Sequence, residues 1–139
     1  MKVISLLQPW ATLVILGVKQ IETRSWSTAY RGELLIHASK GKKGGGLVSQ
    51  PPFSKHIQDF NQLPFGAIIG QVLLTEVLRV EDLQYTPTCI NTLSLEERAF
   101  GDYSKGRFAW MMENPIPLKN IIPIGGSLGL WEYSGDLDL

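Results

Sequence analysis

The stretch AIIGQVLLTEVLRV, residues 67–80, constrains this chain more than any other. It is the longest strand signal in the sequence, dense in Ile, Val and Leu. Its length alone would also allow a helix. The β-branched side chains decide, because they lose χ1 freedom in a helix and pack well on a pleated surface. Gly70 within it reads as a β-bulge.

Shorter strand signals surround it: KVISLL, IETRSW, ELLIHA, GRFAWMME and SLGLWEYS. In IETRSW, alternation puts Glu22, Arg24 and Trp26 on one face and Ile21 and Thr23 on the other. PWATLVIL reads as two helical turns, with Pro9 in the first turn and Trp10, Leu13 and Val14 sharing a face. Gly17 suits the left-handed residue just past its end. PPFSKHIQDFNQL predicts a short helix from the spacing of Phe53, Ile57 and Phe60. SLEERAFG opens with a capping pattern, Ser94 followed by Glu97. SKGKKGGG reads as a mobile Gly/Lys loop, and ENPIPLKNIIPIGG as a proline-punctuated loop with an extended piece. Trp110 and Trp131 sit in strand patterns and read as core. The helices fall between strands without following each one. That excludes a doubly wound sheet and favours an α+β fold, a small mixed barrel of five or six short strands with two or three short helices.

The 139 residues, 44% apolar and 19% charged, suit one domain over 1–139. The single cysteine, Cys89, permits no disulfide within the chain and reads as a small half-buried side chain. No run reaches a membrane-spanning length and no export signal is legible, so a cytoplasmic protein is expected. The net charge of zero argues against a general polyanion binder. The distribution is uneven: residues 1–58 carry +6 and residues 59–139 carry −6. Either the fold keeps a basic face together or it mixes the two halves. No GxGxxG or Walker loop is present, and GKKGGG lacks both the Ser/Thr and the helix a phosphate loop needs. His37 and His56 stand apart, with no CxxC or HExxH, so neither a metal nor another cofactor is indicated. His37 reads as a satisfied strand histidine, and no GxSxG elbow accompanies it.

GVKQIETRSW, residues 17–26, gathers Lys19, Glu22 and Arg24. These charges form either a solvated strand edge, each pair contributing a few tenths of a kcal/mol, or the floor of a binding site. Gly17, Lys19 and Arg24 match the G-x-K-x-x-x-x-R hallmark, and the chain here resembles the ASCH family of the PUA-like superfamily. The flanking blocks SLLQPWATLVILG, YRGELLIHASK, GQVLLTEV, GRFAWMMENP and GSLGLWEY extend the resemblance over about residues 3 to 133. It implies a PUA-like β-barrel of about six mostly antiparallel strands, with a cleft between the barrel and its first helix. It also implies association with RNA or other nucleic acid, in a superfamily that includes readers of modified bases. One branch resembles amidohydrolases that remove acyl groups from the exocyclic amine of cytidine. There a lysine, a threonine and a later glutamate do the chemistry. By position these are Lys19, Glu22 in place of the threonine, and Glu76. Glu22 is an acceptor only, so the threonine mechanism does not transfer directly. A lysine flanked by two carboxylates would be held charged, which opposes nucleophilic use of its amine.

A nucleobase site needs an aromatic face, base-edge donors and acceptors, and cations for phosphate. Trp10, Trp26 and Tyr30 are candidates for stacking, and Arg24 for reading an acceptor pair. Glu22 or Glu76 would accept from an amino group, with Lys40, Lys42 and Lys43 for phosphate. The leading reading is therefore an RNA, modified-nucleobase or nucleotide binder. An amidohydrolase of acylated cytidines and a protein-interaction domain are the alternatives. In the first two, Lys19→Ala is expected to abolish function without large loss of stability.

Overall fold

The computed structural model describes residues 1–85 and 94–139. Cys89 lies outside the described residues. The chain forms β1 (Lys2–Leu6), α1 (Trp10–Ile15), β2 (Ile21–Arg24), β3 (Gly32–Ala38), β4 (Ala67–Arg79), α2 (Leu95–Phe100), β5 (Phe108–Pro123) and β6 (Leu130–Glu132), with short 3₁₀ turns between. The strands form one six-stranded sheet in the order β2-β5-β4-β3-β1-β6. Among the described residues only β1 and β3 run parallel, joined by the crossover through α1 and β2; the other neighbours are antiparallel.

The sheet curls into a half-barrel. The ladder between β4 and β5 shifts register at Ile68/Gly70, Gln71/Leu73 and Leu74/Glu76, and each bulge bends and twists the strand carrying it. The curl brings the first strand of the order close to the fifth. Arg24 on β2 donates from Nη2 to the Ser5 carbonyl on β1 at 2.7 Å. The expected bulge at Gly70 also has a packing reason: a Cβ there would lie 2.6 Å from Ile15 Cδ1 of α1.

A six-residue helix is not stable alone, so α1 depends on packing. It buries Ala11, Leu13 and Val14. Ala11 and Val14 join the inner cluster with Leu34, Ile36, Val72, Leu74 and Trp110. The outer face of β1 and β3 is covered as well. Val3, Leu35, Ile68 and Leu118 pack there under Trp131 and Tyr133. Two covered faces explain the unbroken apolar run Leu34, Leu35 and Ile36 within ELLIHA.

Three expectations change. The PPFSKHIQDFNQL segment forms two single 3₁₀ turns, Phe53–Lys55 and Phe60–Gln62, in place of a helix. Its apolar spacing still serves, since Phe53, Ile57 and Phe60 are all buried. The proline-punctuated segment from Glu113 belongs to β5, because its prolines fall where β5 tolerates breaks in the ladder. The Gly/Lys loop is held in place: Lys43–Leu47 is a 3₁₀ turn, and the buried Gly44 packs against Gln8, Pro9 and Trp10. Among the described residues, no helix is long and apolar enough to cross a membrane.

The two charge halves interleave. Lys2 pairs with Glu132 at 2.7 Å and Arg31 with Glu76 at 2.9 Å. Acids from the second half thus neutralise part of the basic excess of the first.

Candidate functional site

Strand β2 sits at an edge of the sheet, where backbone groups must be satisfied by something other than a strand. The segment from Glu97 to Arg107 does this. Glu97 is 4% exposed, and its carboxylate accepts the N–H of Ile21 at 2.7 Å and of Gln20 at 3.1 Å. The Asp102 N–H donates to Thr23 Oγ1 at 3.0 Å, and Arg107 Nη2 donates to the Thr23 carbonyl at 3.2 Å. Ser94 caps α2 as expected, accepting from the Glu97 N–H. The Glu97 side chain, however, leaves its own helix and reaches β2. Burial pushes its carboxyl above the usual value near 4.5, opposed by the Gln20 N–H, the Lys19 ammonium and the Ile21 N–H.

The hallmark charges form a line along the same edge. Lys19 is 1% exposed; its Nζ donates to the Ile21 carbonyl and lies 3.1 Å from Glu22 Oε1. Glu22 Oε2 lies 3.1 Å from Arg24 Nε. Glu22 is thus clamped between two cations, and Arg24 continues the line to Ser5 on β1. Gly17, at φ +83°, turns the chain from α1 into this line. That geometry is neither a loosely solvated edge nor a free lysine.

Two cavities meet at the seam between β2 and β1. The first, about 490 Å³, is lined by Trp10, Glu22, Arg24, Phe53, Phe100, Asp102 and Arg107, among others. The second, about 440 Å³, is lined by His37, Lys40, Gly66 and the turn 125–129. Ser5, Arg24 and Ser39 line both, so the two are chambers of one cleft. Trp10 supplies the partly exposed ring of the first chamber. Its Nε1 donates to the Phe100 carbonyl at 2.8 Å, and Phe53 meets it edge-on with centroids 6.2 Å apart.

The structure brings Glu22, Arg24, Trp10 and Lys40 together at this cleft. It does not bring the other candidates there. Lys19 and Gly17 line a separate hollow of about 310 Å³ with Glu113 and Pro115. Glu76 is half-exposed and paired to Arg31, whose hydrogen bond is the largest influence holding its carboxyl below the usual range. The second carboxylate near Lys19 is therefore Glu97, not Glu76. Trp26 stands edge-on to Trp110 at 4.8 Å and belongs to the core. Tyr30 donates its hydroxyl to the Glu33 carbonyl and packs on the same cluster. Lys42 lies over the Phe65 ring, 5.1 Å from its centroid, and neither it nor Lys43 lines either chamber.

Sequence reasoning missed Glu97, whose only signal was a capping pattern that accounted for it locally. It also missed Arg107, Asp102 and the glycine-rich turn, which sit far along the chain from the hallmark.

The ASCH domain family model matches residues 4–122. This chain is an ASCH domain. It is 29% identical to human activating signal cointegrator 1 over 143 aligned positions, and 28% identical to the mouse protein. Each alignment covers 96% of the chain and 22% of the relative, so the chain spans about a fifth of the length of these curated relatives. The fold is similar to the crystal structure of ASCH from Zymomonas mobilis, at 19% identity and a TM-score of 0.51. That alignment covers 89% of this chain and 72% of the other. A mutant of the same protein matches at 21% identity and a TM-score of 0.51, with the same coverage.

Proposed function

We propose that this ASCH domain binds a single nucleobase, as part of a nucleotide or of RNA, in the cleft at the β2–β1 seam. The observation that carries the reading is the first chamber. Its volume of about 490 Å³ falls in the range of small-ligand sites. Trp10 lines it with a partly exposed side chain, and Phe53, on the same wall, meets its ring edge-on. Glu22 and Arg24 supply an acceptor and a planar donor fork on the floor. An aromatic face with fixed polar groups beside it is what an unstacked base requires.

The test is equilibrium binding of ribonucleosides, ribonucleotides and short single-stranded RNAs to the pure protein and to Trp10→Ala. Base–aromatic stacking contributes about 1–3 kcal/mol, so the variant should bind roughly 5- to 150-fold more weakly. Equal affinity of the two proteins would remove Trp10 from the site, and no binding by either would end the reading.

One observation favours a second reading. Glu22, a carboxylate 12% exposed and clamped by two cations, lines a nucleoside-sized chamber. Such a group can orient a water against an acyl amide on the exocyclic amine of cytidine. Mass spectrometry of acylated cytidines incubated with the protein decides it. Release of free cytidine, abolished by Glu22→Gln, supports an amidohydrolase; intact substrate excludes it.

A further inference from the structure

The two chambers differ in charge. Glu22 and Asp102 line the first beside Arg24 and Arg107, whereas among the described residues no carboxylate lines the second. The second has Arg24 and Lys40, the hydroxyls of Ser39 and Ser127, and the glycine-rich turn. Lys40 lays its stem across Gly66 and has no acidic partner among the described residues. Arg24 Nε faces Glu22 Oε2 at 3.1 Å as an ion pair without a hydrogen bond, and Nη2 donates to the Ser5 carbonyl, which leaves further N–H groups on the guanidinium.

The turn adds donors. The backbone N–H groups of Gly125, Gly126, Ser127, Leu128 and Gly129 have no acceptor among the described residues. Unpaired N–H groups along an exposed segment that lines a cavity are available as donors to an anion. The base of this turn is pinned. His37 Nε2 lies 2.7 Å from the Ile124 carbonyl and must donate to it, and Nδ1 of the same ring lies 3.0 Å from Ser5 Oγ. Ser5 Oγ accepts in turn from Trp131 Nε1 at 3.1 Å. Gly126 rests directly on this pair: a Cβ there would lie 2.7 Å from both Ser5 Oγ and His37 Cε1. The network thus holds the segment at Gly126, and residues 125–129 are all exposed.

We infer that the second chamber is a phosphate subsite, which makes the cleft selective for phosphorylated ligands over bare nucleosides. The inference rests on the nucleobase reading of the first chamber. A terminal phosphate of a free nucleotide and a backbone phosphodiester share the chemistry the subsite recognises.

Calorimetric titration of the full chain separates the possibilities. The probes are nucleosides, their 5′- and 3′-monophosphates, dinucleoside monophosphates and inorganic phosphate, each with the native protein and with Lys40→Gln. Charge-assisted bonds to phosphate should make at least one phosphorylated series bind about tenfold tighter than nucleosides. Lys40→Gln and higher salt should both shrink that preference. A preference confined to monophosphates indicates a free nucleotide, and one shared by dinucleotides indicates an RNA backbone. Equal affinity for nucleosides and nucleotides overturns the subsite and leaves the nucleobase reading standing. If no nucleoside or nucleotide binds, amide NMR of the turn with inorganic phosphate decides. Lys40-dependent shifts at residues 125–129 would keep the subsite and end the nucleobase reading, and unmoved amides would end both.

Discussion

Glu97→Ala tests how the cleft is held together. Alanine removes the acceptor for the backbone N–H groups of Gln20 and Ile21, where β2 begins. Ile21 is 1% exposed, so its N–H is left buried without a partner, a loss of about 1–3 kcal/mol. Gln20 is exposed, and water replaces the carboxylate there at a loss of about 0.5 kcal/mol. Lys19 also loses one of its two nearby carboxylates. The expected total is about 2–4 kcal/mol, or about 1–2 M in the urea midpoint for a domain of this size. Glu97→Gln keeps a carbonyl oxygen for Ile21 and should lose about 1 kcal/mol or less at neutral pH. The pH dependence separates the two forms further. Burial raises the Glu97 carboxyl above its unfolded value near 4.5. Between those two values the folded state keeps the proton that the unfolded state has released, so this group's contribution to stability falls as pH rises through that window. Below 4.5 both states are protonated and the contribution is flat. Stability of the native protein relative to Glu97→Gln should therefore decline from about pH 4.5 upward. Urea unfolding of the three proteins across pH 4 to 8 measures all of this. An alanine variant within about 0.5 kcal/mol of native, or a glutamine variant as damaged as alanine, would refute the argument that this carboxylate satisfies the edge of β2.

Lys19→Ala should destabilise the fold by about 3 kcal/mol, because it leaves Glu22 without its buried cation. This reverses the expectation that the substitution spares stability, and thermal unfolding checks it. Gly44→Ala places a Cβ 2.8 Å from Pro9 Cδ and 3.0 Å from the Trp10 ring. It should lower stability by about 1–3 kcal/mol in urea unfolding and weaken ligand binding through a displaced Trp10. Glu76→Gln removes only an exposed pair with Arg31. It should change stability by no more than about 0.5 kcal/mol and leave both binding and any turnover as they were, measured in the same assays.

Local pattern was enough for much of the fold. The β-branched run of β4, the apolar face of α1 and the left-handed glycine at Gly17 each follow from a few neighbouring residues. Failures came where the tertiary environment overrode local rules. Prolines that signal a loop in isolation are absorbed into the long β5, and Gly44, in a loop whose glycines signal mobility, is packed against Pro9 and Trp10. The candidate site divides the same way. Arg24 and Glu22 were legible because they alternate on one short strand and Arg24 falls at the hallmark spacing. Glu76 was chosen as Lys19's second carboxylate, yet Glu97 occupies that place. A partner 78 positions away leaves no trace in spacing, and its capping pattern already accounted for it.

The seam cleft also sets how this domain must fold. Its walls come from residues 5, 24, 39, 102 and 126, contributed by β1, β2, the two long connections and the turn before β6. No single segment supplies more than one wall of it. Every wall requires a distant closure whose entropy is lost before any contact compensates, so the cleft completes late and folding should be slow for a chain of this length. The same fact works in the ligand's favour. A molecule that fits the cleft can bind only the fully assembled barrel, so all of its binding free energy is added to global stability. Ligand-induced resistance to unfolding should therefore spread evenly over the sheet, from β2 at one edge to β6 at the other.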